Sequence, residues 1–188
     1  YYEDTISYSI LRELPRFIPS TPSVGIKTNL LYDAMTSINL GVEFKIAPKW
    51  TLDISANLNP WEFSNNRKWK HILVQPEARY WLCEPFYGHF LGVHAHWAHY
   101  NISNLPSWLG PEFSKFRYQG DLYGAGISYG YQWVLGTRWN LEATAGIGYA
   151  FLDYDKYDGE VCGPLLGSYK THYFGVTKLG ISLIYLIK

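Results

Sequence analysis

The sequence lacks any run of about 18 consecutive apolar residues, which is the length that a transmembrane helix needs. It also lacks net charge, because 16 basic residues balance 16 acidic ones, so it has no general attraction to nucleic acid. The first residues lack the basic start and apolar run of a signal peptide, and residue 1 is not the cysteine of a lipoprotein anchor. We therefore expect a processed or truncated chain without a nucleic-acid partner.

Aromatic side chains, in contrast, are abundant. They make up 18% of the residues, with eight Trp and 17 Tyr, and such a content is typical of proteins that meet a membrane interface. A membrane protein without spanning helices must be a closed β-barrel, because only closure pairs every backbone N–H and C=O group.

The clearest pattern is a hairpin over residues 37–58, with Pro48 and Lys49 at its turn. Each arm alternates apolar and polar residues, as a strand with two different faces requires. Arms of about ten residues exceed the usual strand length of about five or six and suit a tilted strand that crosses a bilayer. Every second position is apolar: Ile38, Leu40, Val42, Phe44, Ile46, Trp50, Leu52, Ile54, Ala56 and Leu58.

The same alternation predicts strands at 23–31, 70–82, 86–100, 121–133, 139–149 and 172–187, with a bulge at Pro76. Tight turns alternate with long connections at 60–69, 101–120 and 153–171, as in outer-membrane barrels. We predict an all-β fold, an eight-stranded antiparallel up-and-down transmembrane β-barrel over residues 23–188. We expect residues 1–22 to form a short N-terminal periplasmic segment, either a surface helix followed by a Pro-rich lead or a disordered tail.

The alternation leaves open which face points inward. The polar stripe combines small residues with four charges of each sign, and a narrow interior needs both, because buried charges must be paired. We therefore predict that the apolar stripe faces lipid and that a charge network fills the lumen, formed by Lys27, Glu43, Lys45, Asp53, Glu77, Arg79, Glu142 and Lys178. A soluble barrel is the alternative. Aromatic residues at the tight-turn ends predict a periplasmic girdle: Trp50, Trp81, Trp133, Trp139 and Tyr185.

Six segments carry a resemblance to a known family: 25–33 (GIKTNLLYD), 75–81 (QPEARYW), 88–94 (GHFLGVH), 117–120 (RYQG), 126–133 (GISYGYQW) and 139–143 (WNLEA). The chain resembles small outer-membrane β-barrel proteins of Gram-negative gut and oral anaerobes. That family is a domain of unknown function, sometimes encoded near fimbrial genes or fused to a peptidoglycan-binding domain. The resemblance implies the barrel fold and an outer-membrane location but assigns no activity.

Two groups of residues offer chemistry. His94 and His96 share one strand face, with His99 close behind, and two such histidines are a known metal-ligand geometry. The alternative, which we adopt, is a hydrogen-bonded lumen network in which the two lumen histidines join the carboxylates, with no metal and no cofactor. An enzyme acting on lipid needs a nucleophile and a base near the outer leaflet, where Asp153, Ser168 and His172 lie without a recognisable spacing. We predict no catalytic residues.

The outer loops mix aromatic and basic residues, a composition typical of binding hot spots. They either contact partners or lipopolysaccharide phosphates or plug the barrel mouth; the candidates are Trp61, Arg67, Lys68, Trp69, Trp108, Phe116 and Arg117. Cys83 at a periplasmic turn and Cys162 in an outer loop are too far apart to form a disulfide.

These features favour a non-enzymatic barrel in the outer membrane, with both termini periplasmic, that serves as a structural or accessory subunit of a larger complex. Its partners are outer-membrane lipid, lipopolysaccharide and other outer-membrane or periplasmic proteins. The alternatives are a lipid- or glycan-modifying enzyme and a narrow channel.

Overall fold

The computed structural model describes residues 22–60, 62–63, 67–103, 116–158 and 164–187, with backbone only at 62–63 and 67–69. The N-terminal segment, Trp61, Trp108 and Cys162 therefore lie outside the described residues, as do the side chains of the basic and aromatic residues at 67–69. The strands are β1 Val24–Asn29, β2 Ile38–Ala47, β3 Trp50–Asn59, β4 Glu62–Phe63, β5 Arg67–Trp81, β6 Gly88–Ser103, β7 Phe116–Val134, β8 Trp139–Asp158 and β9 Leu165–Ile187; one short helix, α1, spans Leu30–Ala34.

Eight of these strands form a closed ring of antiparallel neighbours. Each long strand pairs with the next one along the chain, β3 pairs with β5, and β9 pairs back with β1. The two-residue β4 adds to β5 outside this sequence of pairings. The predicted all-β, eight-stranded, antiparallel up-and-down arrangement is confirmed, whereas its transmembrane nature stays a prediction. No helix among the described residues is long and apolar enough to cross a membrane.

The strands on one side of the ring are longer than the alternation predicted. β7, β8 and β9 contain 19, 20 and 23 residues, so the long connections predicted at 101–120 and 153–171 contain strand at 101–103, 116–120, 153–158 and 165–171. β1 contains only six residues. The sequence did not predict these extensions, because their apolar and polar residues do not alternate between outside and inside as they do in the lower ring, the part nearer the tight turns.

β1 ends at Asn29 because that side chain caps the following helix. Asn29 Oδ1 accepts a hydrogen bond from Leu31 N at 3.1 Å, as an N-cap residue does. Asp33 of α1 in turn accepts from Thr28 Oγ1 at 2.8 Å and from Asn39 Nδ2 at 2.7 Å. The helix is thereby fixed between β1 and β2.

The bulge predicted at Pro76 is wrong. Pro76 pairs with Ile54 of β3 in an unbroken register, and the pairing with β6 has the same register before and after it, at Val74–Trp97 and Glu77–His94. The pairs with β6 are missing only at Gln75 and Pro76. Because proline has no N–H to donate, the ladder is interrupted locally without a shift of the strand.

The register around the ring defines the slope of its strands. Pairs followed from Leu186 of β9 through β1 and onward return to β9 at Gly175, eleven residues away, including the bulged Thr177. A shift of about ten residues at about 3.3 Å each, over eight strands about 4.8 Å apart, corresponds to a tilt of about 40°.

The distribution of side chains is the reverse of that in a globular core. Among the described residues, 34 large apolar or aromatic side chains are exposed, whereas only six apolar residues are buried. The charged side chains Glu43, Glu77 and Arg79 are at most 1% exposed. The polar stripe therefore lines the interior of the ring and the apolar stripe covers its outside.

Aromatic rings close the interior at the tight-turn end. Trp81 is 0% exposed and lies 4.9 Å from Phe90 and 6.2 Å from Phe86, measured between ring centroids. The prediction that Trp81 belongs to an outer girdle is therefore wrong. Its neighbour Tyr80 continues the outward series of β5, so strand alternation places Trp81 inside. The other predicted girdle residues are exposed, at Trp50, Trp133 and Trp139, or partly exposed, at Tyr185.

Candidate functional site: a buried charge network

Arg79 of β5 is the centre of a network of ion pairs inside the ring. Its Nε donates to Glu77 Oε2 at 2.6 Å, its Nη2 donates to Asp53 Oδ2 at 3.1 Å, and its Nη1 donates to Glu43 Oε2 at 2.9 Å. Glu142 accepts from both terminal nitrogens, at 2.8 and 3.0 Å. This paired geometry fits the planar guanidinium, and one side chain therefore links strands β2, β3, β5 and β8.

Two lysines complete the network from the other side of the ring. Lys27 Nζ of β1 lies 2.6 Å from Glu43 Oε2 and 3.2 Å from Asp53 Oδ1. Lys178 Nζ of β9 lies 2.7 Å from Glu77 Oε2 and 3.8 Å from Asp53 Oδ2. Seven of the eight predicted network residues are therefore brought together. The eighth, Lys45, is partly exposed near the tight-turn end of β2.

Neutral residues that the sequence analysis did not single out hold the carboxylates in place. Thr51 Oγ1 donates to Glu43 Oε1 at 2.5 Å and accepts from Trp81 Nε1 at 2.8 Å. Ser128 Oγ donates to Glu77 Oε1. Arg79 Cζ also lies 4.4 Å from the centroid of the Phe90 ring, a cation–π contact. Strand parity, which places all of these residues on the inward face, was the available signal.

Little free space remains within this interior. A cavity of about 30 Å³ lies between the network and the α1 end, lined by Lys27, Asp53 and Tyr32 among others. That volume admits about two water molecules. Burial raises the pKa of the Tyr32 phenol. The interior in this part of the chain is packed by side chains rather than open.

The two predicted lumen histidines lie inside the ring and are 1% and 7% exposed, at His94 and His96. His94 Nε2 lies 2.9 Å from Thr177 Oγ1. The imidazoles face Gly124 and Gly126 of β7, where a Cβ atom would collide with them. Among the described residues, no three His, Cys, Asp or Glu side chains are grouped as metal ligands.

The structure does not bring the candidate enzyme residues together. Ser168 donates to Asp155 Oδ1 at 2.5 Å, Asp153 lies 3.7 Å from Lys170 Nζ, and His172 Nδ1 contacts the Tyr149 hydroxyl. Each of the three candidates therefore has a different partner, and no nucleophile–base pair is formed by them. Cys83 is an exposed free thiol.

Of the predicted outer contacts, Phe116 and Arg117 lie at the start of β7 and are partly exposed. Arg117 donates to Asn101 Oδ1 at 3.0 Å and to Gln119 Oε1 at 2.9 Å, and its Cζ lies 5.5 Å from the Tyr157 ring centroid. Lys156 Nζ lies 3.7 Å from the Phe116 ring centroid. These basic groups thus stack on aromatic rings at the far end of the long strands.

The fold and its interior define a class: a closed eight-stranded antiparallel ring with a charged interior and an apolar outside. Residues 10–187 match the family model described as "Protein of unknown function (DUF3575)", and the chain belongs to that family. No curated protein and no solved structure matches the chain.

Proposed function

We propose that this protein is an integral β-barrel of the outer membrane of a Gram-negative bacterium, and that it acts as a non-enzymatic structural or accessory subunit of a larger outer-membrane complex. The observation that carries the proposal is the apolar outer surface of the ring. Water disfavours a continuous apolar surface of this kind, whereas hydrocarbon accepts it.

The height of the apolar surface supports a membrane location. On β6, outward residues between His89 and His99 are apolar, including Leu91, Val93 and Trp97 at 50%, 64% and 38% exposure. Ten residues span about 33 Å along a strand and about 25 Å in height at a tilt of about 40°, which is the height of the apolar band of outer-membrane barrels.

Aromatic residues at both ends of this band support the same proposal. At the upper end, Trp97 pairs with Tyr123, which is 50% exposed. At the tight-turn end, Trp139 packs edge-on against Tyr185 with ring centroids 5.0 Å apart, and Trp50 packs against Tyr80 at 5.2 Å. Such girdles suit the two headgroup regions of a bilayer.

The packed interior supports a structural role over the narrow channel. A conducting path would have to pass the ion pairs around Arg79, where the neighbouring cavity measures about 30 Å³. The long strands β7, β8 and β9, in contrast, extend well past the apolar band and offer surface to other molecules. A scaffold that docks onto neighbouring envelope proteins or lipopolysaccharide uses these features.

An arginine placed on the outer surface tests the lipid contact. Val93→Arg puts a charge at the middle of the band and should cost about 2–4 kcal/mol in a bilayer. Leu135→Arg is the matched control, because Leu135 is also exposed (60%) but lies in the β7–β8 turn outside the band. Folding into vesicles, followed by denaturant titration, measures both. Equal, small effects of the two substitutions would contradict the lipid contact.

The subunit role is tested by purification in mild detergent and native mass spectrometry. We expect a defined stoichiometric assembly with another envelope protein that survives in nanodiscs. A strictly monomeric protein without any co-purifying protein would contradict the accessory role, while leaving the membrane location to the arginine test. Comparison of envelope lipids from cells with and without the protein tests the enzyme alternative.

A further inference from the structure

β9 extends far beyond the strand beside it. β8 pairs with β9 from Leu165 to Tyr185, whereas β1 pairs with it only from Ser182 to Ile187. The side chain of Asn29 covers the next part, because it donates to Leu179 O at 3.4 Å and accepts from Ile181 N at 3.3 Å. In the described part of the chain, the edge from Leu165 to Val176 has no neighbouring strand.

Exposure shows that this stretch of β9 is open on both faces as well as along its edge. In the lower ring, inward and outward residues alternate between buried and exposed. From Leu165 to Phe174, in contrast, every residue except Gly167 is exposed, and Tyr169, Tyr173 and Phe174 reach 47%, 45% and 77%. In an antiparallel sheet, every second residue directs its N–H and C=O away from the paired neighbour. About half of the backbone groups here therefore point to the open edge.

The edge carries few of the devices that prevent strand addition. Natural proteins protect exposed edges with proline, lysine, bulges or a covering segment. Residues 165–176 contain no proline and a single lysine, Lys170, whose Nζ lies 3.7 Å from Asp153. The β8–β9 pairing is irregular at the two ends of this stretch, opposite Tyr157 and Gly146. The middle of the edge, residues 168–174, therefore keeps a regular register with β8 and is accessible.

We propose that the edge of β9 from Leu165 to Val176 binds an extended segment of a partner protein, which pairs with it as an added strand. Main-chain hydrogen bonds provide the affinity in this mode, and side chains on alternate positions provide the specificity. The partner segment that fits is extended, contains few prolines and carries apolar side chains on both faces, to pack against Leu166, Tyr169 and Phe174. This inference deepens the proposed subunit role by naming its docking surface.

A second copy of the chain does not fit this edge if the protein lies in a membrane as proposed. Copies with the same orientation in one bilayer are related by rotation about the membrane normal. Two β9 strands tilted by about 40° would then cross at about 80°, which does not allow a continuous ladder. The open edge also lies at the opposite end of the ring from Pro22, where the described chain begins.

Amide hydrogen exchange of the full chain in detergent micelles tests the edge directly. In the free protein, we expect alternate amides between Leu165 and Val176 to exchange fast, and the intervening amides, bonded to β8, to exchange slowly. The probe is a synthetic peptide of alternating tyrosine and valine with lysine at each end. The control peptide has proline in place of every second residue. The first peptide should slow the fast edge amides at least tenfold, and the control should not.

Two proline variants distinguish edge binding from damage to the sheet. Of Lys170 and Thr171, one directs its N–H to the edge and the other to β8. Proline at the fast-exchanging position should preserve the fold and abolish protection by the peptide, whereas proline at the other position should disturb β8 pairing. Slow exchange along the whole edge of the free protein, protection that increases with protein concentration alone, or no protection by saturating peptide would each overturn the proposal. None of these results bears on the membrane location, which the arginine variants test separately.

Discussion

Replacement of Arg79 by methionine should be the most damaging single change inside the ring. Methionine keeps much of the length of the side chain but removes its charge and all five of its hydrogen bonds to Glu43, Asp53, Glu77 and Glu142. Four buried carboxylates then share two lysines. Breaking a buried pair costs about 3–5 kcal/mol, largely because the remaining charge is left without compensation, and we expect Arg79→Met to cost at least that much.

A second substitution and a surface control test whether the cost of Arg79→Met comes from buried charges that lose their partner. Glu142→Gln in the Arg79→Met background removes one of the uncompensated charges and should recover at least about 1 kcal/mol, because the two residues are directly coupled. Lys170→Met breaks an ion pair whose side chains are 69% and 47% exposed and should cost no more than about 1 kcal/mol. Equilibrium unfolding from detergent micelles, followed by tryptophan fluorescence, measures all three. A cost below about 1 kcal/mol for Arg79→Met would refute the network as a stabilising element.

Three further substitutions or modifications probe other parts of the ring. Gly124→Ala should destabilise the protein by about 1–3 kcal/mol, because the added methyl collides with His96 and with the backbone of Tyr149. Wild-type stability of this variant in the same unfolding assay would contradict the close contact between His96 and Gly124. Trp81→Phe should cost about 1 kcal/mol through loss of the 2.8 Å hydrogen bond to Thr51 Oγ1, with the position of the fluorescence maximum reporting removal of a buried indole. Cys83 should react with a polar maleimide in intact folded protein, since it is exposed at a turn, and protection until unfolding would show that the turn is covered.

Strand alternation was sufficient to predict the number and order of the long strands, because each has a face that must differ from the other. It also placed seven network residues on one face before their contacts were known. The hairpin of β2 and β3 shows why this works: both arms are ten residues long and alternate throughout. Its pairing runs through nine residue pairs with one irregularity near Ala47.

The alternation failed where the environment of the strand changes along its length. At the upper end of β7, outward positions carry Arg117, Gln119 and Asp121, and inward positions carry Tyr118 and Leu122, so the apolar face changes sides above Tyr123. Because the alternation of the lower ring does not continue above Tyr123, the sequence predicted a loop for these residues. The open edge of β9 could not be predicted for a different reason. The length of one strand does not indicate how far the strand beside it extends.

Trp81 illustrates a conflict between composition and position. Its residue type favours a membrane interface, whereas its parity on β5 places it inside, beside Phe90 and Thr51. Parity prevailed because a strand cannot turn one side chain to the opposite face without a bulge. The interior accepts the ring because its N–H has a hydrogen-bond acceptor.

The contact between the apolar surface and lipid is tested most directly by nitroxide labels on consecutive residues of β7 in nanodiscs, with oxygen and a polar nickel chelate as relaxation agents. Labels at Tyr123, Ala125, Ile127 and Tyr129 should show high oxygen accessibility with a maximum at the centre of the band, while a label at Asp121 should be accessible to the nickel chelate. High nickel accessibility at Ile127, which is 61% exposed, would place that surface in water and contradict the account.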